Sequence, residues 1–334
     1  MIRAAVSSLG AIAAAAVLAG CTVPPPPGAA PLRYRDQVFT GVTVTSDLQY
    51  GSAPDLQGTP QALKLDLYRP AGDTLTRRPA IIWIHGGGFH AGDKTAQPFP
   101  KLATTFAQRG YVSASINYRL LGTDKCAGVD PPPPSCQAAA VEAQHDAQAA
   151  VRWLRAHAAA YGVDPDRIAV GGGSAGADTA LLVGIHSEDT GSSGTPGVSS
   201  KVRGVVSISG VLPVEGEALL SSDDAPTLWF VGTADANIDE SRVVANAAKL
   251  LQLGVLSIPE VLDGAGHVPV NPTYGPTIYS QTANFLYLTL DLAHAQGQPA
   301  AAARAFDAQM TRYAKRHPAL ARRYLDRTRP VGGR

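Results

Sequence analysis

A serine flanked by glycines carries the clearest chemical signal in the sequence. Gly172-Gly173-Ser174-Ala175-Gly176 follows the apolar stretch Ile168 to Gly171 and precedes Leu181-Leu182-Val183. A G-x-S-x-G element between a strand and a helix places the serine on a sharp turn, where glycines avoid collisions and the hydroxyl stands clear of the sheet. The helix N-terminus favours negative charge on a bound oxygen. The pattern predicts a nucleophilic Ser174; a glycine-rich turn containing a serine by chance is the alternative.

A second glycine-rich element, His85-Gly86-Gly87-Gly88-Phe89, directly follows the apolar stretch Ile81 to Ile84. Amides without side chains can approach a ligand closely, and two of them together with the amide of Ala175 would form an oxyanion hole. A flexible loop or a phosphate-binding turn is the alternative, but no Lys-Ser/Thr pair follows to support a nucleotide site. The two elements in this order favour a hydrolase.

Three further stretches strengthen this interpretation: Asn117-Tyr118-Arg119, Asp146 with Ala150-Val151-Arg152-Trp153-Leu154, and Tyr161-Gly162-Val163-Asp164-Pro165. With them the chain, from about Leu63 to the region of His267, resembles the carboxylesterases of the α/β-hydrolase superfamily. The similarity is greatest to the hormone-sensitive-lipase-like and the feruloyl or acetylxylan esterase-like branches. It implies that Gly87 and Gly88 supply the oxyanion amides with Ala175. Gly173 departs from lipase-like members, which often have Asp or Glu before the nucleophile.

The partners of the serine are expected after the last two strands. The fold places the acid after the strand Leu228 to Val231 and the histidine after Leu256 to Leu262. Gly232-Thr233-Ala234-Asp235 resembles the family's acid turn, and Gly264-Ala265-Gly266-His267 resembles its histidine loop. His267 would take the Ser174 proton and return it to the leaving alcohol, while the carboxylate of Asp235 fixes the imidazole tautomer.

Other acids and histidines are alternatives for these roles. Asp239 is expected to begin a helix, and Asp263 precedes the histidine turn, so either could be a cap or a surface group. Four histidines stand in helical stretches, where this residue is most often a surface or packing group: His145, His157, His186 and His294. The loop contexts favour Asp235 and His267.

The elements that position this chemistry alternate along the chain. Residues 41–70 alternate apolar and polar side chains, which predicts antiparallel strands. The later strands are largely apolar, as expected for strands covered on both faces, and Pro259 in the last of them favours a sheet edge. A stripe from Ala143 to Tyr161 predicts a helix that stops at Gly162. The expected fold is therefore α/β: an α/β-hydrolase fold with a mostly parallel central sheet, antiparallel N-terminal strands and helices on both faces.

The N-terminus indicates export. Arg3 precedes an uncharged apolar stretch from Ala4 to Gly20, and Leu18-Ala19-Gly20-Cys21 resembles the lipobox of bacterial lipoproteins, in which a lipid is attached to the cysteine. An ordinary secretory peptide or a short membrane anchor is the alternative. The expected organisation is a signal peptide (1–20), a Pro-rich tether (21–31), the hydrolase domain (32–298) and a helical Ala/Arg-rich extension (299–334). The expected location is the bacterial cell envelope through Cys21, otherwise the periplasm or the medium.

The two remaining cysteines, Cys126 and Cys136, lie close together around Pro131 to Pro134. An oxidising compartment predicts that they form a disulfide; two unpaired buried thiols are the alternative. Whether this loop shapes the leaving-group side of a pocket or only stabilises the fold stays open.

Composition narrows the function classes. The formal net charge is +1 and Lys and Arg are dispersed along the chain, which disfavours a nucleic-acid partner. No metal or organic cofactor is implied, because three side chains and backbone amides complete the mechanism. The leading hypothesis is a serine carboxylesterase acting through an acyl-enzyme on short-chain or polysaccharide-linked esters. An exopeptidase or oligopeptidase, or a catalytically silent surface binding protein, is the alternative.

Overall fold

The computed structural model describes residues 31–121, 126, 133–185, 189, 191–212 and 214–295. Their centre is an eight-stranded sheet in the order β1-β2-β4-β3-β5-β6-β7-β8. The strands are β1 (Val42–Pro54), β2 (Pro60–Pro70), β3 (Arg78–Ile84), β4 (Val112–Ile116), β5 (Val163–Gly173), β6 (Val205–Ile208), β7 (Thr227–Gly232) and β8 (Ser257–Leu262).

Strand direction divides the sheet into two parts. β1 pairs antiparallel with β2, and β2 pairs antiparallel with β4. All other pairs, from β4 to β8, are parallel. The predicted α/β-hydrolase fold is therefore confirmed, including its antiparallel N-terminal strands and the edge position of β8.

The described helices cover both faces of the sheet. They are α1 (Phe99–Ala107), α2 (Pro134–Ala156), α3 (Ala158–Tyr161), α4 (Ala175–Ile185), α5 (Val214–Glu217), α6 (Glu240–Gln252), α7 (Gly275–Thr289) and α8 (Leu292–Ala295). Helices α2, α4 and α6 pack on one face with Ile82 and Ile84 of β3, whereas α1 and α7 pack on the other face with Ile81 and Trp83. Burial of alternate side chains on opposite faces explains why this strand is apolar from Ala80 to Ile84.

The predicted helical stripe from Ala143 to Tyr161 is two helices in the structure. Helix α2 ends at Ala156, and α3 begins at Ala158. The ring of His157 accounts for the break, since its Nδ1 lies 2.8 Å from the carbonyl oxygen of Trp153 and caps α2. The predicted stop is confirmed, because Gly162 adopts a left-handed conformation with φ 67°.

A buried ion pair holds α2 against the end of β4. The guanidinium of Arg119 donates to both carboxylate oxygens of Asp146 and, at 3.1 Å, to the hydroxyl of Ser193. Asp146 is fully buried. These two stretches of the family resemblance therefore serve the architecture, since breaking such a pair would leave an uncompensated buried charge.

The Cys126–Cys136 disulfide is present, which confirms that prediction. The predicted signal peptide with Cys21, most of the predicted tether and the predicted extension from residue 299 lie outside the described residues. Among the helices that are described, none has both the length and the apolar character that crossing a membrane requires.

Candidate active site

Ser174 occupies the turn between β5 and α4. Its backbone has φ 54°, a left-handed value that residues other than glycine rarely adopt. Its amide donates to the carbonyl of Ile208 in β6 at 3.0 Å, which ties the turn to the neighbouring strand. A strained, partly exposed serine between a strand and a helix has the geometry of a nucleophile elbow.

The glycines around Ser174 are required by close backbone approach. A Cβ on Gly176 would lie 2.2 Å from the carbonyl oxygen of Ile84 and 2.4 Å from that of His85. A Cβ on Gly86 would lie 3.0 Å from the Cβ of Ser174. The nucleophile turn and the His85–Phe89 loop are thus in direct contact, as the sequence predicted for an oxyanion hole.

The His85–Phe89 loop, called the oxyanion loop below, has an unusual backbone. Gly87, Gly88 and Phe89 have φ values of 113°, 59° and 63°. The carbonyl of Gly87 accepts the amides of His90 and Ala91, both at 3.1 Å, which closes the loop into a turn. Within the described residues no hydrogen bond from the amides of Gly87 or Gly88 is found. Two such amides beside the start of α4 can stabilise an oxygen that gains negative charge.

Residues that follow β4 pack against the oxyanion loop and hydrogen-bond to it. The hydroxyl of buried Tyr118 donates to the carbonyl of His85 at 3.1 Å, and the two rings stack at 4.3 Å. The amide of Leu121 donates to the carbonyl of Phe89 at 2.7 Å, so the chain leading to the disulfide contacts the same loop. Tyr118 therefore has a positioning role that sequence reasoning did not assign, although it stands in one of the family stretches.

His85 itself is not a candidate base. Burial lowers the pKa of its imidazole, which keeps the ring neutral. Its Nδ1 lies 2.7 Å from the carbonyl oxygen of Gly86 and is engaged within the loop.

Asp235 and His267 come together from the ends of β7 and β8. The Nδ1 atom of His267 lies 3.0 Å from each carboxylate oxygen of Asp235. The Asp235 side chain is completely buried, whereas 27% of the His267 side chain is exposed. An Nδ1–H that donates to a buried carboxylate leaves Nε2 as the basic nitrogen of the ring.

The pKa of Asp235 lies below its ordinary value. Burial alone would raise it, but hydrogen bonds from the amide of Asn237, from His267 and from the side chain of Ser209 outweigh burial. The carboxyl is therefore ionised at neutral pH and accepts the imidazole proton without taking it.

Several bonds join the acid turn to the histidine loop. The amide of Ala234 donates to the carbonyl of Ala265 at 3.0 Å. The amide of Gly264 donates to the hydroxyl of Thr233 at 2.8 Å. The position of Asp235 relative to His267 is thus determined by contacts between residues about thirty positions apart in the sequence.

The histidine loop also packs on the nucleophile turn. A Cβ on Gly173 would lie 3.0 Å from Cγ1 of Val268 and 3.0 Å from the ring of Phe99. The residue after the histidine therefore contacts the residue before the nucleophile. An acidic side chain in place of Gly173, as in lipase-like proteins, would require Val268 or Phe99 to move.

The alternative acids and histidines that the structure describes make contacts elsewhere. Asp239 caps helix α6 and accepts the amide of Ser241 at 2.8 Å, and Asp263 accepts the hydroxyl of Thr233 at 3.3 Å. His145 pairs with Asp189. His157 ends α2, His186 lies outside the described residues, and of His294 only the backbone in α8 is described.

Within the described part of the chain, no group of three or more His, Cys, Asp or Glu side chains could hold a metal ion.

The structure brings the predicted site residues together in two groups. Ser174 lies with Gly86 to Gly88, and Asp235 lies with His267. Ser209, which follows β6 and contacts the second group, was not predicted. Its position at the carboxyl end of a parallel strand is the signal that could have identified it.

Comparisons with known proteins agree with this geometry. The BD-FAE family model matches residues 65–218. The phenmedipham hydrolase of Pseudarthrobacter oxydans is 34% identical over 160 residues, which cover 46% of this chain and 30% of that protein. The esterase LipQ of Mycobacterium tuberculosis is 33% identical over 146 residues, 43% of this chain and 30% of that protein. The chain thus spans less than a third of the length of these curated relatives.

Solved structures resemble a larger part of the chain. Esterase 2 of Thermogutta terrifontis, phosphorylated by paraoxon, aligns with a TM-score of 0.58 and 25% identity over 80% of this chain and 98% of that one. The propionate-bound form of the same esterase aligns with a TM-score of 0.56 and 26% identity over 76% of this chain and 94% of that one. The chain therefore has the α/β-hydrolase fold, its residues 65–218 resemble the BD-FAE family, and the proteins it is similar to include carboxylic ester hydrolases.

Proposed function

We propose that this protein is a serine carboxylesterase that hydrolyses carboxylic esters through an acyl-enzyme on Ser174. The observation that carries the proposal is the buried Asp235 carboxylate bonded to His267 Nδ1, on a loop that packs against the turn bearing Ser174. The amides of Gly87 and Gly88, in the loop whose Gly86 contacts this turn, and the amide of Ala175 are the proposed oxyanion donors. This set provides a nucleophile, a base with a fixed tautomer, and donors for an oxyanion.

The first half of the proposed reaction forms the acyl-enzyme. His267 Nε2 accepts the proton of the Ser174 hydroxyl as Oγ attacks the ester carbonyl carbon, and the carbonyl oxygen becomes an oxyanion held by the backbone amides. The bond to the alcohol oxygen then breaks, and that oxygen takes the proton from Nε2. The alcohol leaves, and the acyl group stays on Ser174.

The second half returns the enzyme to its starting state. Water attacks the acyl carbon and gives its proton to His267 Nε2, forming a second tetrahedral intermediate in the same amide site. The bond to Ser174 Oγ breaks, Oγ regains the proton, and the carboxylic acid leaves. Asp235 stays ionised throughout and stabilises the imidazolium that forms in each half.

For the substrate we propose short-chain or polysaccharide-linked esters. A short acyl chain is supported by the propionate-bound structure of an esterase of similar fold. An exported protein meets extracellular esters, which is the support for polymer-linked substrates. A panel of acetyl, butyryl, octanoyl and feruloyl esters distinguishes these classes, because the chain-length profile of kcat/KM reports the room beside Ser174.

The test of the activity is ester hydrolysis by the wild type beside Ser174→Ala. The variant should lose roughly 10⁶-fold in kcat, as in serine hydrolases whose triad acts as a unit. Ser207→Ala is the matched control, because it removes another serine hydroxyl from the neighbouring strand β6 and should keep full activity. A folded wild type that hydrolyses none of the four esters, or an active Ser174→Ala, would contradict the proposal.

We also propose that the protein is anchored to the cell envelope through a lipid on Cys21. The support is the lipobox-like sequence Leu18-Ala19-Gly20-Cys21 after an apolar stretch. Cys21→Ser should move the protein from the membrane fraction to the soluble fraction, whereas Thr22→Ser should not. Membrane association of the Cys21→Ser variant equal to that of the wild type would rule out the anchor.

A further inference from the structure

Ser209 lies where the proposed nucleophile and its base meet. It follows β6, the strand between β5, which leads to Ser174, and β7, which leads to Asp235. The residue is completely buried, and its amide donates to the carbonyl of Phe230 in β7 at 2.8 Å. An unpaired buried hydroxyl is costly, so the hydrogen bonds that the Ser209 side chain makes stabilise it in this place.

Both partners of the Ser209 hydroxyl belong to the acid and histidine loops. The amide of Val268, the residue after His267, donates to Ser209 Oγ at 2.9 Å. A hydrogen bond from the same side chain is among the causes that lower the pKa of Asp235, and as an anion this carboxylate can only accept. One hydroxyl therefore accepts from the histidine loop and donates to the acid.

We propose that Ser209 is a positioning residue for the reaction, whose hydroxyl sets the carboxylate of Asp235 and the backbone at His267 relative to each other. This proposal rests on the proposed esterase function. It adds to the triad a residue outside it, because the contact between Asp235 and His267 then also depends on β6, the strand that Ser209 follows.

Backbone strain supports this role. Ser174, Ser209 and Val268 have φ values of 54°, 55° and 47°. A left-handed conformation costs on the order of 1 kcal/mol or more for most residues, and Val268 is β-branched, for which it is a genuine outlier. Residues in strained conformations are retained where several surrounding contacts hold them, and the hydrogen bond from the Val268 amide to Ser209 is one such contact. Because Val268 directly follows His267, holding its amide also restricts the backbone of the histidine.

Loss of the Ser209 hydroxyl should therefore affect the chemical step more than substrate binding. The Asp235 carboxylate would lose a donor, and the Val268 amide would lose its acceptor. Neither group touches the substrate in the proposed mechanism, so KM should stay the same while kcat falls roughly tenfold, which corresponds to the loss of one hydrogen bond to a charged group.

The experiment compares Ser209→Ala with Ser207→Ala. Ser207 is also completely buried and lies two residues earlier, but among the described residues its hydroxyl has no hydrogen-bond partner. The kcat value is expressed per active site labelled with a fluorophosphonate, so unfolded protein does not count. We expect kcat to fall in Ser209→Ala with KM unchanged, and both constants to stay at wild-type values in Ser207→Ala.

A spectroscopic measurement makes the result independent of turnover. The Nδ1–H proton of His267 in its bond to Asp235 is followed by NMR with the imidazole protonated. We expect its resonance to be shifted or exchange-broadened in Ser209→Ala and unchanged in Ser207→Ala. If Ser209→Ala does not fold, Ser209→Cys, whose thiol is a weaker donor, should give a smaller change in the same direction.

The outcomes separate the two proposals. A wild type without esterase activity contradicts the proposed function, and the NMR comparison still decides the role of Ser209. An unchanged Nδ1–H resonance in Ser209→Ala, or a kcat within about twofold of the Ser207→Ala value, overturns the positioning role. A rise in KM with unchanged kcat also overturns it, because it would place Ser209 in substrate binding.

Discussion

The two halves of the candidate site are held in different ways. The nucleophile half, formed by the ends of β3 and β5, depends on backbone contact, since Gly176 touches the carbonyls of Ile84 and His85. The acid and histidine half, at the ends of β7 and β8, depends on hydrogen bonds between loops, such as that from Gly264 to Thr233. An added Cβ at Gly176 therefore has no room in the first half, while the second half depends on a few specific polar atoms and on one close approach, that of Gly232 to Ala265.

The largest effect on activity is expected in the second half, at Asp235. Asp235→Asn should keep the fold but reduce kcat by roughly 10⁴-fold, because an amide next to Nδ1 favours the wrong imidazole tautomer. Steady-state kinetics with a short-chain ester measures the loss. Asp263→Asn, which changes a nearby exposed carboxylate in the same pair of loops, should stay within a small factor of the wild type. Equal losses in both variants would show that Asp235 has no special role.

The next largest effect is expected from glycine substitutions in the two halves. Gly176→Ala should lower the free energy of unfolding by roughly 3 kcal/mol, because its Cβ would overlap two backbone oxygens. Gly266→Ala, directly before His267, should be nearly neutral because no atom lies within 4 Å of a Cβ there. Urea denaturation of both variants measures the difference. Similar destabilisation of the two would refute the contrast between the halves.

The smallest effect is expected where the halves meet, at Asp178 in the first turn of α4. Its carboxylate accepts the amide of Val211, and burial raises the pKa of Asp178 to about 7. Folding then favours the protonated form of Asp178. Below about pH 4 the group is protonated in both states and costs no stability; the cost grows as the pH rises and is complete above about pH 7. Water still reaches part of the side chain, which limits the size of the cost.

Asp178→Asn should therefore raise the Tm at pH 8 more than at pH 4. Thermal unfolding at the two pH values measures this. Asp239→Asn is a useful comparison, because hydrogen bonds from Ser241 lower the pKa of Asp239 and its removal should destabilise the protein at pH 8. A Tm gain for Asp178→Asn that is the same at both pH values would show that its charge is not the cause.

The difference between the halves also explains what the sequence could predict. The elbow around Ser174 and the oxyanion loop were predicted from local patterns, because glycine spacing itself records the backbone contact. Asp235 and His267 were predicted from their order after the last strands and from the resemblance of their loops to those of the family, since the bonds that join the two loops connect residues far apart in sequence. Ser209 and Tyr118 were missed because a hydroxyl carries no local sign of the distant carbonyl or carboxylate that it contacts. The break at His157 was missed because apolar spacing continues across it.

The position of β8 has a consequence for how the protein would lose function. Within the part of the chain that the structure describes, β8 is the last strand of the sheet order and pairs with one strand, β7. Edge segments open by local unfolding at a lower free energy than the central strands, and amide hydrogen exchange reports such openings. Because His267 follows β8, its loop separates from Ser174 whenever this cooperative unit opens, while β3 and β5 stay folded. We therefore expect heat inactivation of the proposed enzyme to precede melting of the sheet, because catalysis depends on the edge strand as well as on the core.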